Sequence, residues 1–385
     1  MKIIFASDWA AIRHFAPQIA SNSVGVYGNL LSVLQQADYK IVNLETPLFE
    51  GDFITKSGAV FTSSPSSINS LLAVPFNCAI LANNHTFDCG EEGFFATVDL
   101  LKNNNIATVG AGKNLDEAFS PAIIKDETQK IAIFALSEAE DMRHATKNTS
   151  GVAPWNIELL AQKITEAKNQ NYFIIVSAHC GLEYQPYPSF YVREAFEKLA
   201  QAGANIIVGH HPHVPQGMTM FGDTPAYFSM GNFVFYQPVD FFYRKLGYMV
   251  EMDVNNGKLD NHKIIPYKIS DDGLSLLEGD LLSDFYQLFY KLSLPLTSNA
   301  EHRAAWNAVL AYNGIAGFQA ELENILENFQ KDPKKGAAML RNRVNCIQHS
   351  SQWTDGFTRI IDDTIDIAPS EYVDVVKDYM TKKIK

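Results

Sequence analysis

Short runs of apolar and β-branched residues alternate with amphipathic stretches from the first residue to about residue 270, an alternation that predicts an α/β chain. The runs KIIFAS, YKIVNLE, NCAILANN, ATVGAG, KIAIFALS, YFIIVSAH, NIIVGHH, TPAYFSMGNFVF and GYMVEMDV predict strands. Several are almost wholly apolar, as strands covered on both faces are. Between them, IELLAQKITEAKNQ and SFYVREAFEKLAQAGA carry helical spacing. In the second, Phe190, Ala195, Leu199 and Ala202 are spaced to meet a sheet, while Arg193, Glu194, Glu197 and Lys198 fall on the solvent side. After IIPYKIS helical periodicity takes over, as in SLLEGDLLSDFYQLFYKLSL and GFQAELENILENFQ. The expected organisation is one domain over residues 1–273 and a helical C-terminal region over 274–385. The aromatic stripe Phe285, Tyr286, Phe289 and Tyr290 reads as packing.

Composition narrows the classes. With 385 residues, 46% apolar and 19% charged, the chain has the make-up of a globular protein large enough for more than one core. A formal net charge of −12, with no cluster of Lys and Arg, argues against a nucleic-acid or anionic-membrane partner. Cys78, Cys89, Cys180 and Cys346 are scattered, so a disulfide framework is not expected. The opening MKIIFASD is too short an apolar run for a secretory signal, and no stretch of about 18 apolar residues occurs, so neither export nor direct membrane insertion is expected. These features together predict a cytoplasmic protein.

Chemistry gathers at the ends of the predicted strands, where the loops of α/β folds collect binding residues. Asp8 follows KIIFAS; Asn43 and Glu45 close YKIVNLE; Asn84, His85 and Asp88 follow NCAILAN. His179, Glu183 and Tyr184 follow YFIIVSA; His210, His211 and His213 follow NIIVG; Asn232 precedes FVF. Five of the ten histidines lie at three of these exits. Imidazoles with carboxylate and amide oxygens, and no thiolate, form a donor set for manganese, iron, zinc or cobalt. A His-His-Pro-His turn offers several ligands in different directions, which a site for two divalent ions requires, and Pro212 stiffens it. Cys180 and Cys89 read as packing beside this set, and Trp9, Tyr184, Tyr187 and Phe235 as either an aromatic substrate wall or rim packing.

The segments NLETP, ANNHTFD, HCGLEYQPYPS, GHHPHVPQ and GNFVF resemble the motif series of the bacterial capsule-synthesis CapA/PgsA family, associated with poly-γ-glutamate, over roughly residues 1 to 270. That family is similar in fold to the calcineurin-like metallophosphatases. The resemblance implies a sandwich of two mixed β-sheets flanked by helices, two divalent ions, and metal ligands Asp8, Glu45, Asn84, His179 and the histidines His210, His211 and His213. The sequence departs from that pattern at Ala10, where the first histidine ligand would fall, and at Glu45, a longer carboxylate than the usual Asp. His14 is a candidate to replace the missing ligand.

The implied reaction is phosphoester hydrolysis, with cation-bound hydroxide attacking phosphorus and His85 protonating the leaving oxygen while Asp88 fixes its tautomer. Asn43, Glu183, Tyr184 and Asn232 would orient ligands or substrate, which would be a phosphorylated small molecule or an anionic polymer. Two other readings stand beside it. One is a non-phosphatase role in making or exporting a capsular polymer, with a partner from the capsule machinery. The other, prompted by Ala10, is a degenerate metal-binding module.

Overall fold

The computed structural model describes residues 1–138 and 140–384. One sheet runs in the order Gly273–Leu276, Lys258–Ser270, Leu246–Asn255, Lys2–Ala10, Tyr39–Leu44, Cys78–Ile80, Ala107–Val109, and Asn232–Phe235 also pairs with Lys2–Ala10. The second runs Met218–Phe221, Thr224–Tyr227, Ile206–His210, Phe173–His179, Lys130–Ser137, Ala122–Lys125. Each contains parallel and antiparallel neighbours, so both are mixed.

Strand alternation sorts the side chains into layers. Ile3, Phe5 and Ile41 of the first sheet and Ile133, Ile175 and Val208 of the second fill the space between the sheets. Their neighbours point outward: Ile4, Ala6 and Val42 meet Phe15, Leu30 and Leu101, while Ile174, Val176 and Ile207 meet Leu160, Ile164 and Phe196. The result is an α/β sandwich of two mixed sheets flanked by helices.

Five longer helices follow the sheets: Gly279–Ser293, Asn299–Lys331, Pro333–Asn345, Ile347–Ile361 and Ser370–Thr381. Phe285, Leu292, Trp306, Phe318 and Tyr379 from this helical region join the same apolar cluster that lies between the sheets. Helical structure begins at Gly279 rather than 274, because Gly273–Leu276 still pairs with Lys258–Ser270 as an edge strand. Among the described residues no helix is long and apolar enough to cross a membrane.

Three further expectations change. The run TPAYFSMGNFVF is two strands, one in each sheet, separated near Gly231 with φ 74°, a conformation that suits glycine. Arg193 is buried rather than solvated, because the helical region covers that face and supplies Leu296 O and Asn299 Oδ1 as acceptors. Of the aromatic stripe, Phe285 is buried, but Tyr286 and Tyr290 are 46% and 66% exposed.

The chain leaves the sheets where the site residues lie. The register of Lys2–Ala10 shifts on both sides of Asp8, which pairs with Asn43 on one neighbour and Asn232 on the other. Such irregularities re-aim a side chain at a strand end. Gly209 lies against Phe228, where an added Cβ would sit 2.0 Å from the Phe228 carbonyl oxygen. Gly209→Ala must therefore push the histidine-bearing strand away from its neighbour, and a loss of about 2 kcal/mol of stability is expected in denaturant unfolding.

Candidate metal centre

Side chains from both sheets meet at one rim. Glu45, His179 and His211 bring ligand atoms within 4.8 Å of one another; so do Asp8, Glu45 and His213, and so do Glu183, His211 and His213. Glu45 belongs to the first two groups. Around one point, His179 Nε2 lies 2.9 Å from Asn84 Oδ1, 3.0 Å from His211 Nδ1 and 3.6 Å from Glu45 Oε1. Two ring nitrogens and two oxygens facing inward cannot all be satisfied by one proton. Around the other, His213 Nδ1 is 3.5 Å from Asp8 Oδ2 and His213 Nε2 is 3.7 Å from Glu45 Oε1.

The donor set fits divalent cations on a physical ground. Both Glu45 oxygens and Asp8 Oδ2 are buried and accept no hydrogen bond among the described residues. Burying a carboxylate without a donor costs several kcal/mol, unless a cation is its partner. Burial, and next the charges of Asp8 and Glu183, drive the Glu45 carboxyl well above the usual carboxylate range. Burial also opposes the charge on Asp8, yet the neighbouring imidazoles of His210 and His213 outweigh it and hold Asp8 well below that range. His179 is pulled well below its ordinary value by burial and by His211, so it presents a neutral, ligating imidazole.

Not every expected ligand faces the cluster. His210 turns its Nδ1 toward Asp8 Oδ1 at 3.2 Å and packs its ring on Phe5, and it belongs to none of the three groups. The reason is local: His210 is the last residue of its strand, whereas His211 and His213 come after it with φ 97° and 56°, a left-handed backbone that turns the chain across the rim. Strained residues of this kind collect at ligand sites. His14, the candidate substitute, contacts Asp271 O at 3.0 Å and lies with its ring centroid 5.0 Å from that of Tyr236. Ala10, standing in the place of a histidine, packs with Ile12 and Phe235.

Asparagines hold the ligands in place. Asn43 Nδ2 donates to Asp8 Oδ1 at 2.8 Å, Asn83 Nδ2 donates to Asn43 Oδ1 at 3.1 Å, and Asn232 Oδ1 lies 2.8 Å from His213 Nδ1. His85 sits beside the cluster, its Nε2 4.0 Å from Glu45 Oε1 and its Nδ1 2.7 Å from Asp88 Oδ2. Asp88 in turn accepts from Lys56 Nζ at 2.7 Å and from the Phe61 backbone at 2.6 Å. Burial would raise the Asp88 carboxyl, but His85 and Lys56 keep it below its ordinary value. For His85 burial prevails, helped by Lys56 and resisted by Asp88, and its pKa is lowered.

Three charged residues of the site escaped the sequence reading: Arg13, which lines the cleft, Lys56 and Glu140. Lys56 stands in a loop and gave no signal, since a loop lysine is ordinarily solvated. Glu140 follows KIAIFALS, and the acidic run after that strand was a readable sign. Its Oε1 is 3.3 Å from His211 Nε2. Burial disfavours a charged His211, but Glu140 and the nearby Glu183 and Glu138 override it and push the imidazole up to about 9. Tyr184 and Phe235 lie 6.1 and 4.8 Å from the His213 ring, at the mouth. Trp9 and Tyr187 are instead core residues. Cys180 is buried in the core between the second sheet and its helices, and burial raises its thiol well above the ordinary value.

The profile of the family described as bacterial capsule synthesis protein PGA_cap matches residues 2–237. The chain is 31% identical over 209 residues to the PGA biosynthesis protein CapA of Bacillus subtilis, covering 53% of this chain and 55% of that one. It is 28% identical over 221 residues to the capsule biosynthesis protein CapA of Bacillus anthracis, covering 55% and 54%. The chain thus spans about half the length of the curated relatives it matches. Among solved structures, a 5'-nucleotidase precursor from Thermus thermophilus aligns at 14% identity and a TM-score of 0.43, over 75% of this chain and 58% of that one.

The unpaired Glu45 carboxylate yields a test. In metal-free protein the folded state binds this proton more tightly than the unfolded chain, so stability falls as pH rises from the unfolded value of about 4.3 toward the raised folded pKa, and the loss is complete above it. Glu45→Gln removes that loss. With chelator present, the variant's denaturant midpoint should exceed the wild type's at neutral pH and converge with it in acid, while calorimetry should show that it has lost divalent-ion binding.

Proposed function

We propose that in this chain, which belongs to the bacterial capsule synthesis protein family, the rim cluster is a two-cation centre that hydrolyses a phosphoester. The observation that carries this reading is Glu45, a buried carboxylate without hydrogen-bond donors that is common to two groups of ligand atoms. Asp8, Glu45 and His213 would hold one ion; Glu45, Asn84, His179 and His211 would hold the other. The nitrogen and oxygen donors suit manganese, iron, zinc or cobalt. Bound cations would lower the pKa of water toward about 7 and neutralise charge on the phosphoryl oxygens.

The chain's own groups do the rest. Asn43 and His210 keep Asp8 aimed at the cluster, and Asn232 fixes the His213 ring. His85 is the residue assigned to protonate the leaving oxygen. With Asp88 on Nδ1, its Nε2 faces the rim. Its lowered pKa leaves it neutral in the free site, so the proton is taken up alongside the negative charge of the substrate. Arg13, Tyr184 and Phe235 surround the inner cleft of about 160 Å³ and would position the ester.

A second reading, a non-hydrolytic part in capsular polymer synthesis or export through a partner of the capsule machinery, is favoured by the names of the curated relatives. The two readings separate on bis(p-nitrophenyl) phosphate. For a hydrolase, exhaustive chelation abolishes turnover and manganese restores it, and on a diester with an alkoxide leaving group, which needs the proton that p-nitrophenolate does not, His85→Ala lowers kcat by roughly 10²–10⁴-fold without changing ion content. Turnover indifferent to chelation excludes the metal-dependent mechanism.

A further inference from the structure

The two ion positions are unequally furnished. Glu45, Asn84, His179 and His211 stand around one, whereas Asp8, Glu45 and His213 stand around the other. The hydrogen bonds of Asn232 fix which nitrogen of His213 is free to ligate. Asn232 Nδ2 donates to the His213 and Arg244 carbonyls at 3.2 and 3.4 Å, so its Oδ1, 2.8 Å from His213 Nδ1, is an acceptor. The ring proton therefore sits on Nδ1 and the lone pair on Nε2. Two carboxylate oxygens lie beside that lone pair, Glu45 Oε1 at 3.7 Å and Glu183 Oε1 at 3.9 Å. Donors bound to one ion at about 2.1 Å lie no more than about 4.2 Å apart, so both separations fall within the reach of a single cation. With both acids ionised, none of these three atoms carries a hydrogen, and a cation between them satisfies them all.

The backbone holds Glu183 in that place. The segment after Phe173–His179 is tied to the histidine turn by Cys180 N, which donates to His210 O at 3.0 Å, and by Tyr184 N, which donates to Pro212 O at 2.7 Å. Gly181 and Tyr184 turn the chain with φ 96° and 66°, a left-handed backbone that is uncommon for a tyrosine and is kept where the surrounding structure demands the geometry. Glu183 thereby forms a group of ligand atoms with His211 and His213, one histidine from each ion position. Its side chain is 41% exposed, whereas Asp8 and Glu45 are fully buried, so it closes the cluster from the solvent side. Its carboxylate lies within 4.0 Å of His213 and of no Lys or Arg among the described residues. Without a cation it only adds repulsion: burial, and next the charges of Asp8 and Glu183, disfavour the ionised Glu45.

We propose that Glu183 is a ligand of the ion beside Asp8, completing with Asp8, Glu45 and His213 a set of four residues to match the four around the other ion, rather than a group that orients substrate. This rests on the two-cation reading above and not on the reaction assigned to it.

The test uses the full chain, stripped with chelator and titrated with manganese in a calorimeter. The wild type should take up two equivalents. Glu183→Ala should weaken one of them by at least about tenfold and leave the other nearly as it was, and the retained equivalent shows that the variant is folded. Loading both proteins with cobalt separates a ligand from a mere neighbouring charge, because the visible absorption of the ion responds to its donor atoms, and the substitution should change those bands. Undiminished affinity at both positions, or a cobalt spectrum that the substitution leaves unchanged, overturns the proposal. Ion binding that depends on Glu183 in a protein that turns over no phosphodiester would refute hydrolysis and keep the ligand. A wild type that holds one ion or none would overturn the two-cation centre and this inference together.

Discussion

The structure depends on one electrostatic imbalance: Glu45 and Asp8 carry buried carboxylate oxygens that no donor among the described residues satisfies. Asn43, Asn83, Asn232 and His210 are committed to aiming the surrounding ligands. The backbone accepts left-handed residues at His211 and His213 to complete the ring. A fold that commits this much order to an uncompensated negative core is arranged for a positive guest.

Much of this arrangement was legible because strand periodicity gives both the sheet and its exits. Asp8, Glu45, Asn84, His179, His211 and His213 each stand at or just beyond the end of an apolar run, and they do come together in space. What the pattern could not decide is which of three nearly consecutive histidines points inward, since that is settled by the turn after Gly209 and not by spacing. His210 looked equivalent to its neighbours and is not.

Other misses share one cause, which is contact over long sequence distances. Lys56 joins the Asp88–His85 pair only because its loop is laid over the rim and held from the other side by Lys335. Arg193 has a solvated position in its own helix and a buried one in the whole chain. The division of TPAYFSMGNFVF between two sheets hides in a continuous apolar run, with Gly231 as its only mark.

The clasp of Lys335 on the carbonyls of Lys56 and Gly58 reaches across 279 and 277 residues of chain. Together with the strand Leu246–Asn255, which lies between Lys2–Ala10 and Lys258–Ser270, it carries the architecture well past residue 237, where the family profile stops. A shortened version cut at that boundary would be missing the inner neighbour of its own first strand and the latch on its rim, so the stretch that relatives hold in common is not a unit that can be dissected out and studied alone.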